Sequence, residues 1–188
     1  MPTDLDIVNQ SVYMIGNDIP PVTGVSPTFD DSVAGKAARL LYPLTVRAVG
    51  RQFGWDFGRA VVTLALSGNP APLGYSYEYI YPGNGVQIWQ LMPTIFTDLN
   101  NPIPVNWTVG NALVNNVQTK VIWSSLQNAQ AAYNNNPTVD TWDPIFQQAV
   151  VRLLASAMAM AVAGKPDVAA GMLESGGAFE AIGESRQD

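Results

Sequence analysis

Leu5, Val8, Val12 and Ile15 recur at the three-to-four-residue spacing of one helix face. Thr3 or Asp4 can cap this predicted first helix, and Gly16 ends it. Pro20, Pro21 and Pro27 then interrupt a stretch without periodicity, which predicts a loop. A second helix is predicted to begin near Phe29, with Asp30, Asp31 and Ser32 supplying caps and favourable charge at its positive end. Val33, Ala37, Leu40, Leu41, Leu44 and Ala48 form an apolar stripe along it, and Lys36, Arg39, Arg47 and Arg51 lie on the other side. Pro43 falls inside this pattern and is predicted to kink or split the helix near Tyr42.

The centre of the chain changes period. Val61 to Leu66 reads as a strand. Tyr75, Tyr77, Tyr79 and Tyr81 alternate with Ser76, Glu78 and Ile80, the period of a strand with one aromatic face. Pro82-Gly83-Asn84-Gly85 is a turn signal, and Val86 to Leu91 returns as another strand. Three short strands are predicted at Trp107–Val109, Ala112–Asn115 and Lys120–Ser124, with Asn115-Asn116 as a hairpin tip. Asn, Gln and Pro are dense between Asn100 and Asn136, which favours turns.

Asp140 or Asp143 caps a third helix, with Pro144 in its first position, where the missing N–H costs nothing. Phe146, Ala149, Val150, Leu153, Leu154 and Met158 belong to its wide apolar face, which continues through Ala157 and Ala161. Running to Gly164, this helix would be about 32 Å long. A last helix is expected from Pro166, weakened at Gly176-Gly177. The predicted fold class is α+β: a helical bundle formed by the N- and C-terminal helices (residues 1–58 and 138–188) with a β-rich central insertion (59–137).

Composition narrows the chemistry. The 188 residues include no His and no Cys, so the commonest catalytic and metal-binding side chains are missing. Charged residues make up 13% of the chain, about half the usual share. Such a surface suits either a neutral domain rich in Asn, Gln and Ser or one covered by partners. The net charge is −6, and the nine Lys and Arg residues form no run, which disfavours phosphate-backbone binding. Met1 to Asp4 lacks the basic and apolar regions of a secretory signal. The apolar run from Leu153 to Ala163 is short for a membrane span.

Five short signals occur in a set order: Ile15-Gly16; Asp31-Ser32 with Ala34, Ala37 and Ala38; Tyr42 and Arg51 followed by Trp55 to Arg59; Tyr77 to Pro82; and Asp143 to Ala163. In that order the chain resembles the tail tubular protein A family, the head-to-tail adaptors of short-tailed bacteriophages. One departure is Gly83-Asn84-Gly85, where the family often has an Asp, so the insertion is expected to be shaped differently there. The resemblance implies a ring of identical subunits, typically a dodecamer, docked beneath the portal protein. The helical part would meet the portal and neighbouring subunits. The β part would point toward the tail nozzle protein. Genomic DNA would pass through the channel without sequence-specific binding. The implied location is the virion, at the head-tail junction, after assembly in the host cytoplasm. No cofactor, no metal, no membrane and no catalytic residue are implied.

Within that frame, Phe179, Ile182 and Arg186 are candidates for the portal or neighbour interface. Trp55, Phe57, Phe146, Leu153 and Met158 are candidates for lateral or core packing, with core packing favoured. Tyr77, Tyr79 and Asn84 are candidates for contacts of the distal β region, although for the tyrosines a half-buried strand whose hydroxyls reach water is favoured. Two rival functions use the same residues. A carbohydrate-binding or adhesin component of a phage tail would use Tyr and Trp. A cell-wall glycosidase would need two carboxyls, for which Glu78 and Asp56 are the nearest choices.

Overall fold

The computed structural model describes residues 2–16, 18–52, 55–94, 105–135, 138–164, 166–167 and 169–171. The fold is mixed α+β. The chain divides into two compact units: residues 1–53 together with 137–188, and residues 54–136.

Among the described residues the first unit carries three long helices, and residues 166–167 and 169–171, where the last helix is expected, are also helical. Helix α1 spans Asp4–Ile15, and Thr3 caps it with a reciprocal capping box: Thr3 Oγ1 accepts from the Asp6 N–H, and the Asp6 carboxylate accepts from the Thr3 N–H. Ile7, Val8, Ser11, Val12 and Ile15 are its buried residues. Asn9 pins the following loop, because its side-chain amide exchanges two hydrogen bonds with the backbone of Val22.

Helix α2 spans Val33–Gln52, four residues later than the sequence suggests. The carboxylate of Asp30 folds the approach instead of starting the helix, accepting from the backbone and hydroxyl of both Thr23 and Ser32. Ser32 is the cap: its Oγ accepts from the Gly35 N–H and its carbonyl from the Lys36 N–H. The helix runs through Pro43 as one element of 20 residues, so the expected split does not occur.

The predicted apolar stripe of α2 is not its core face. Ala34, Gly35, Ala38, Tyr42, Val46 and Val49 are buried, together with Thr45. Val33, Leu40 and Leu44 are exposed. Small residues decide this. At Ala34, Gly35 and Ala38 the backbone can approach a neighbouring element closely, while the Tyr42 hydroxyl reaches Asp4 of α1 at 2.8 Å. Periodicity alone gives most weight to the largest apolar residues and so selects the wrong face.

Helix α3 spans Pro144–Met158 and packs against both α1 and α2. Asp143 caps it by accepting from the Ile145 N–H at 2.7 Å. The helical path continues as a π-turn over Ala159–Ala163 and stops at Gly164, which takes a left-handed conformation. Its buried face is Phe146, Val150, Val151, Leu154, Ala155, Ser156 and Met158. This face is rotated from the predicted one, since Leu153 is only half-buried and Ala157 and Ala161 are exposed.

Among the described residues the second unit holds two three-stranded antiparallel sheets. The strands are β1 (Arg59–Thr63), β2 (Tyr77–Ile80), β3 (Gly85–Pro93), β4 (Trp107–Val114), β5 (Val117–Ser124) and β6 (Ala129–Asn135). One sheet has the order β1-β6-β3 and the other β2-β5-β4. Tyr79 and Ile122 from the second sheet and Ile88, Leu91, Ala131 and Tyr133 from the first belong to one apolar cluster.

The turn expected at Pro82 to Gly85 and the strand after it are present, and the turn hands the chain from β2 in one sheet to β3 in the other. Two strand expectations need correction. The first two of the three short strands are a single strand, β4, which joins β5 through Asn115 and Asn116, both at positive φ. The strand β6 lies within the segment whose Asn and Gln content favours turns. It is the centre of its sheet, with Ala129, Ala131 and Ala132 each fully buried beneath neighbours on both sides.

Candidate interaction surface

Helix α2 has two apolar faces. At about 100° per residue, Val33, Ala37, Leu40, Leu41, Leu44 and Ala48 fall on one narrow strip beside the core face. Val33 is 64% exposed, Leu40 71% and Leu44 61%. Lys36, Arg47 and Arg51 border the strip on its far side and are exposed. Arg39, the fourth cation of α2, pairs with Asp31, whose carboxyl is held below the ordinary range by that bond and the Arg39 charge. No carboxylate occurs within α2. The surface is therefore an apolar ridge with a basic border.

A concave surface lies on the same unit. Tyr13 and Met14 of α1 face Pro144, Gln148 and Val151 of α3 across a groove of about 530 Å3, with Gln10, Gln147 and Arg152 also in its lining. Tyr13 and Met14 are both exposed. The two helices are tied beneath it by Ser11, whose fully buried hydroxyl sits 2.9 Å from the Ile7 carbonyl and 3.0 Å from that of Val151.

The residues singled out from sequence fall into different classes. Phe146 and Met158 are buried core, with Phe146 meeting Trp142 edge-on at 4.7 Å between ring centroids. Leu153 is half-buried. Trp55 and Phe57 are half-buried and lean on one another at 5.9 Å. Tyr77 is half-buried beside Tyr79. Asn84 is exposed and accepts a hydrogen bond from the Tyr133 hydroxyl. Phe179, Ile182 and Arg186 lie outside the described residues.

Tyr79 corrects the idea of hydroxyls reaching water. Its ring is 1% exposed, and its hydroxyl donates to the Leu126 carbonyl at 2.7 Å while accepting from the Ala129 N–H. Burial pushes its hydroxyl pKa up. A sugar has no access to such a ring. The strand's other face is not open to water at Glu78 either, which is only 4% exposed. Glu78 accepts from Trp123 Nε1 at 2.7 Å and from Asn69 Nδ2 at 3.0 Å. Burial alone would raise its pKa, but hydrogen bonds from Trp123, Ser67 and Asn69 outweigh this and hold it below the ordinary value. A glycosidase acid needs the opposite shift. Among the described residues, no group of three or more carboxylates converges where a metal ion could be held.

The stretch Pro144–Ala163 is long and apolar enough to cross a membrane by length and composition. Phe146, Leu154 and Met158 of this stretch are buried in the helical core, whereas Met160 is exposed.

No family model matches the chain, and no curated protein matches it. Sequence reasoning missed the exposed ridge because it took the same residues for the core. The signal was present: Ala34, Ala38, Val46 and Val49 form a second apolar row on α2, and one core cannot use both.

Proposed function

We propose that this protein is a structural subunit of a short-tailed bacteriophage, a head-to-tail adaptor that forms a ring beneath the portal and surrounds the DNA channel. The observation that carries this reading is the order of the five sequence signals. The five fall at structurally distinct places. Ile15-Gly16 closes α1, Asp31-Ser32 precedes α2, Tyr42 and Arg51 lie on α2 with Arg59 opening β1, Tyr77 opens β2, and Asp143 caps α3. In this reading the helices form a bundle that meets the portal and neighbouring subunits. The β-rich unit is the insertion that points toward the nozzle protein. A wall of net charge −6 repels passing phosphates and leaves the genome free to slide.

Electron microscopy of the protein mixed with the portal encoded beside its gene tests this. A ring of added density beneath the portal is expected, which also gives the subunit number directly. Absence of density with folded protein would overturn the adaptor reading.

A further inference from the structure

We infer that the chain's own C-terminal segment, residues 172–188, covers the exposed ridge of α2. The inference does not rest on the adaptor reading. Val33, Leu40 and Leu44 are exposed on a helix whose other apolar face already serves the core, so the strip is apolar surface awaiting cover. Its border sets the sign of what covers it. Lys36, Arg47 and Arg51 are exposed along the strip, and α2 contains no carboxylate. A second α2 would bring like charges together, and the α1–α3 groove of a second copy would add Arg152 to them.

Residues 172–188 have the opposite sign and apolar side chains to match. Glu174, Glu180, Glu184 and Asp188 stand there against a single cation, Arg186. Other carboxylates of the first unit are already committed: Asp4 to Tyr42, Asp6 to Thr3, Asp30 to Thr23 and Ser32, Asp31 to Arg39, and Asp143 to the start of α3. Phe179 and Ile182 are three residues apart, the spacing at which two side chains share one side of a helical turn. Glu180 and Glu184 stand beside them in sequence, so the segment pairs an apolar strip with acidic neighbours.

The described chain also stops at a suitable place. Ala169 returns to the helical core, where its carbonyl accepts from the buried Ser156 hydroxyl of α3 at 3.0 Å. Helix α3 and its continuation over Ala159–Ala163 pack against α2, and packed helices stand about 8–10 Å apart. The 20 residues of α2 make it about 30 Å long, with Leu40 and Leu44 near its middle. From Gly171 to Phe179 the chain can extend roughly 26–29 Å. The strip is therefore within reach from either end of α2. A partner that draws off this segment uncovers the ridge in the same step.

The chain has no Cys, which permits a direct test on the full-length protein. Ala48→Cys and Ala181→Cys are placed in one chain, leaving Leu40, Leu44, Phe179 and Ile182 intact, and treated in dilute solution with a short bismaleimide. An internal link at monomer mass is expected, at a yield unchanged by further dilution. A chain with Tyr13→Cys and Ala181→Cys is the reference for a tether that merely samples the surface, and its yield should be several-fold lower. Lys36→Glu with Arg47→Glu should cut the link between positions 48 and 181 several-fold, and adding Glu180→Lys with Glu184→Lys should restore it. Circular dichroism should stay unchanged throughout, because Lys36 and Arg47 are exposed. Equal yields at the two sites, links that form only between chains, a yield indifferent to charge reversal, or no link at all would each overturn the inference.

Discussion

The indole Nε1–H of Trp123 donates to Oε2 of Glu78 at 2.7 Å, joining strand β5 to a carboxylate that is almost fully enclosed on β2. The registered partners Glu78 and Trp123 are directly opposite across the two strands. The bond keeps a charged group satisfied inside the β-rich unit and fixes the tilt of the indole.

Replacing Glu78 by Gln should therefore destabilise the protein by about 1.5–3 kcal/mol at neutral pH, the range for hydrogen bonds to charged groups. Its folded pKa lies below the ordinary value of 4.5. The contribution is therefore complete above that value and is lost as pH falls through the lower folded value. Urea denaturation at a series of pH values should show a shallower acid loss in Glu78→Gln than in the natural chain. Equal slopes would contradict the assignment.

The ring of Trp123 lies over Gly110 on the neighbouring strand β4, where a Cβ would overlap it. Gly110→Ala should cost about 1–3 kcal/mol, as overpacking does. The combination with Trp123→Ala should cost less than the sum of the single changes, measured in a double-mutant cycle.

Tyr42 joins α2 to α1 through its bond to Asp4. Tyr42→Phe should lose about 1 kcal/mol. Burial, and then that bond, raise the tyrosine pKa well above 10. The stabilisation is present below the ordinary value and is lost as pH rises beyond it. Melting temperatures followed through alkaline pH should fall more steeply for the natural chain than for Tyr42→Phe.

Asn115 and Asn116 turn the β4–β5 hairpin at φ of 52° and 63°. Asn tolerates this left-handed region, whereas a β-branched residue does not. Asn116→Val should destabilise by about 1–2 kcal/mol in thermal melts.

Local chemistry was the legible part of this fold. Thr3 with Asp6, Asp143 with Pro144, and the Asn115-Asn116 tip each act within a few residues, so the sequence displays the whole interaction. The facing of α2 was hidden because Ala34, Gly35 and Ala38 become core only when another element comes near. The strand β6 was hidden for the same reason, since Ala129, Ala131 and Ala132 gain strand character from the neighbours on both sides. The enclosure of Glu78 was hidden too, since it depends on Trp123, 45 residues away, standing opposite it on β5.

The division of the chain also sets an order of events during synthesis. Residues 54–136 are contiguous, whereas α1 and α2 must wait for α3, which is made after them. Domains fold as units while the chain emerges. The β-rich unit is thus complete while α2 still lacks its packing partner, and both of its apolar faces are open to solvent during that interval. The alanines and glycine that line one face keep that interval less hazardous than leucines would.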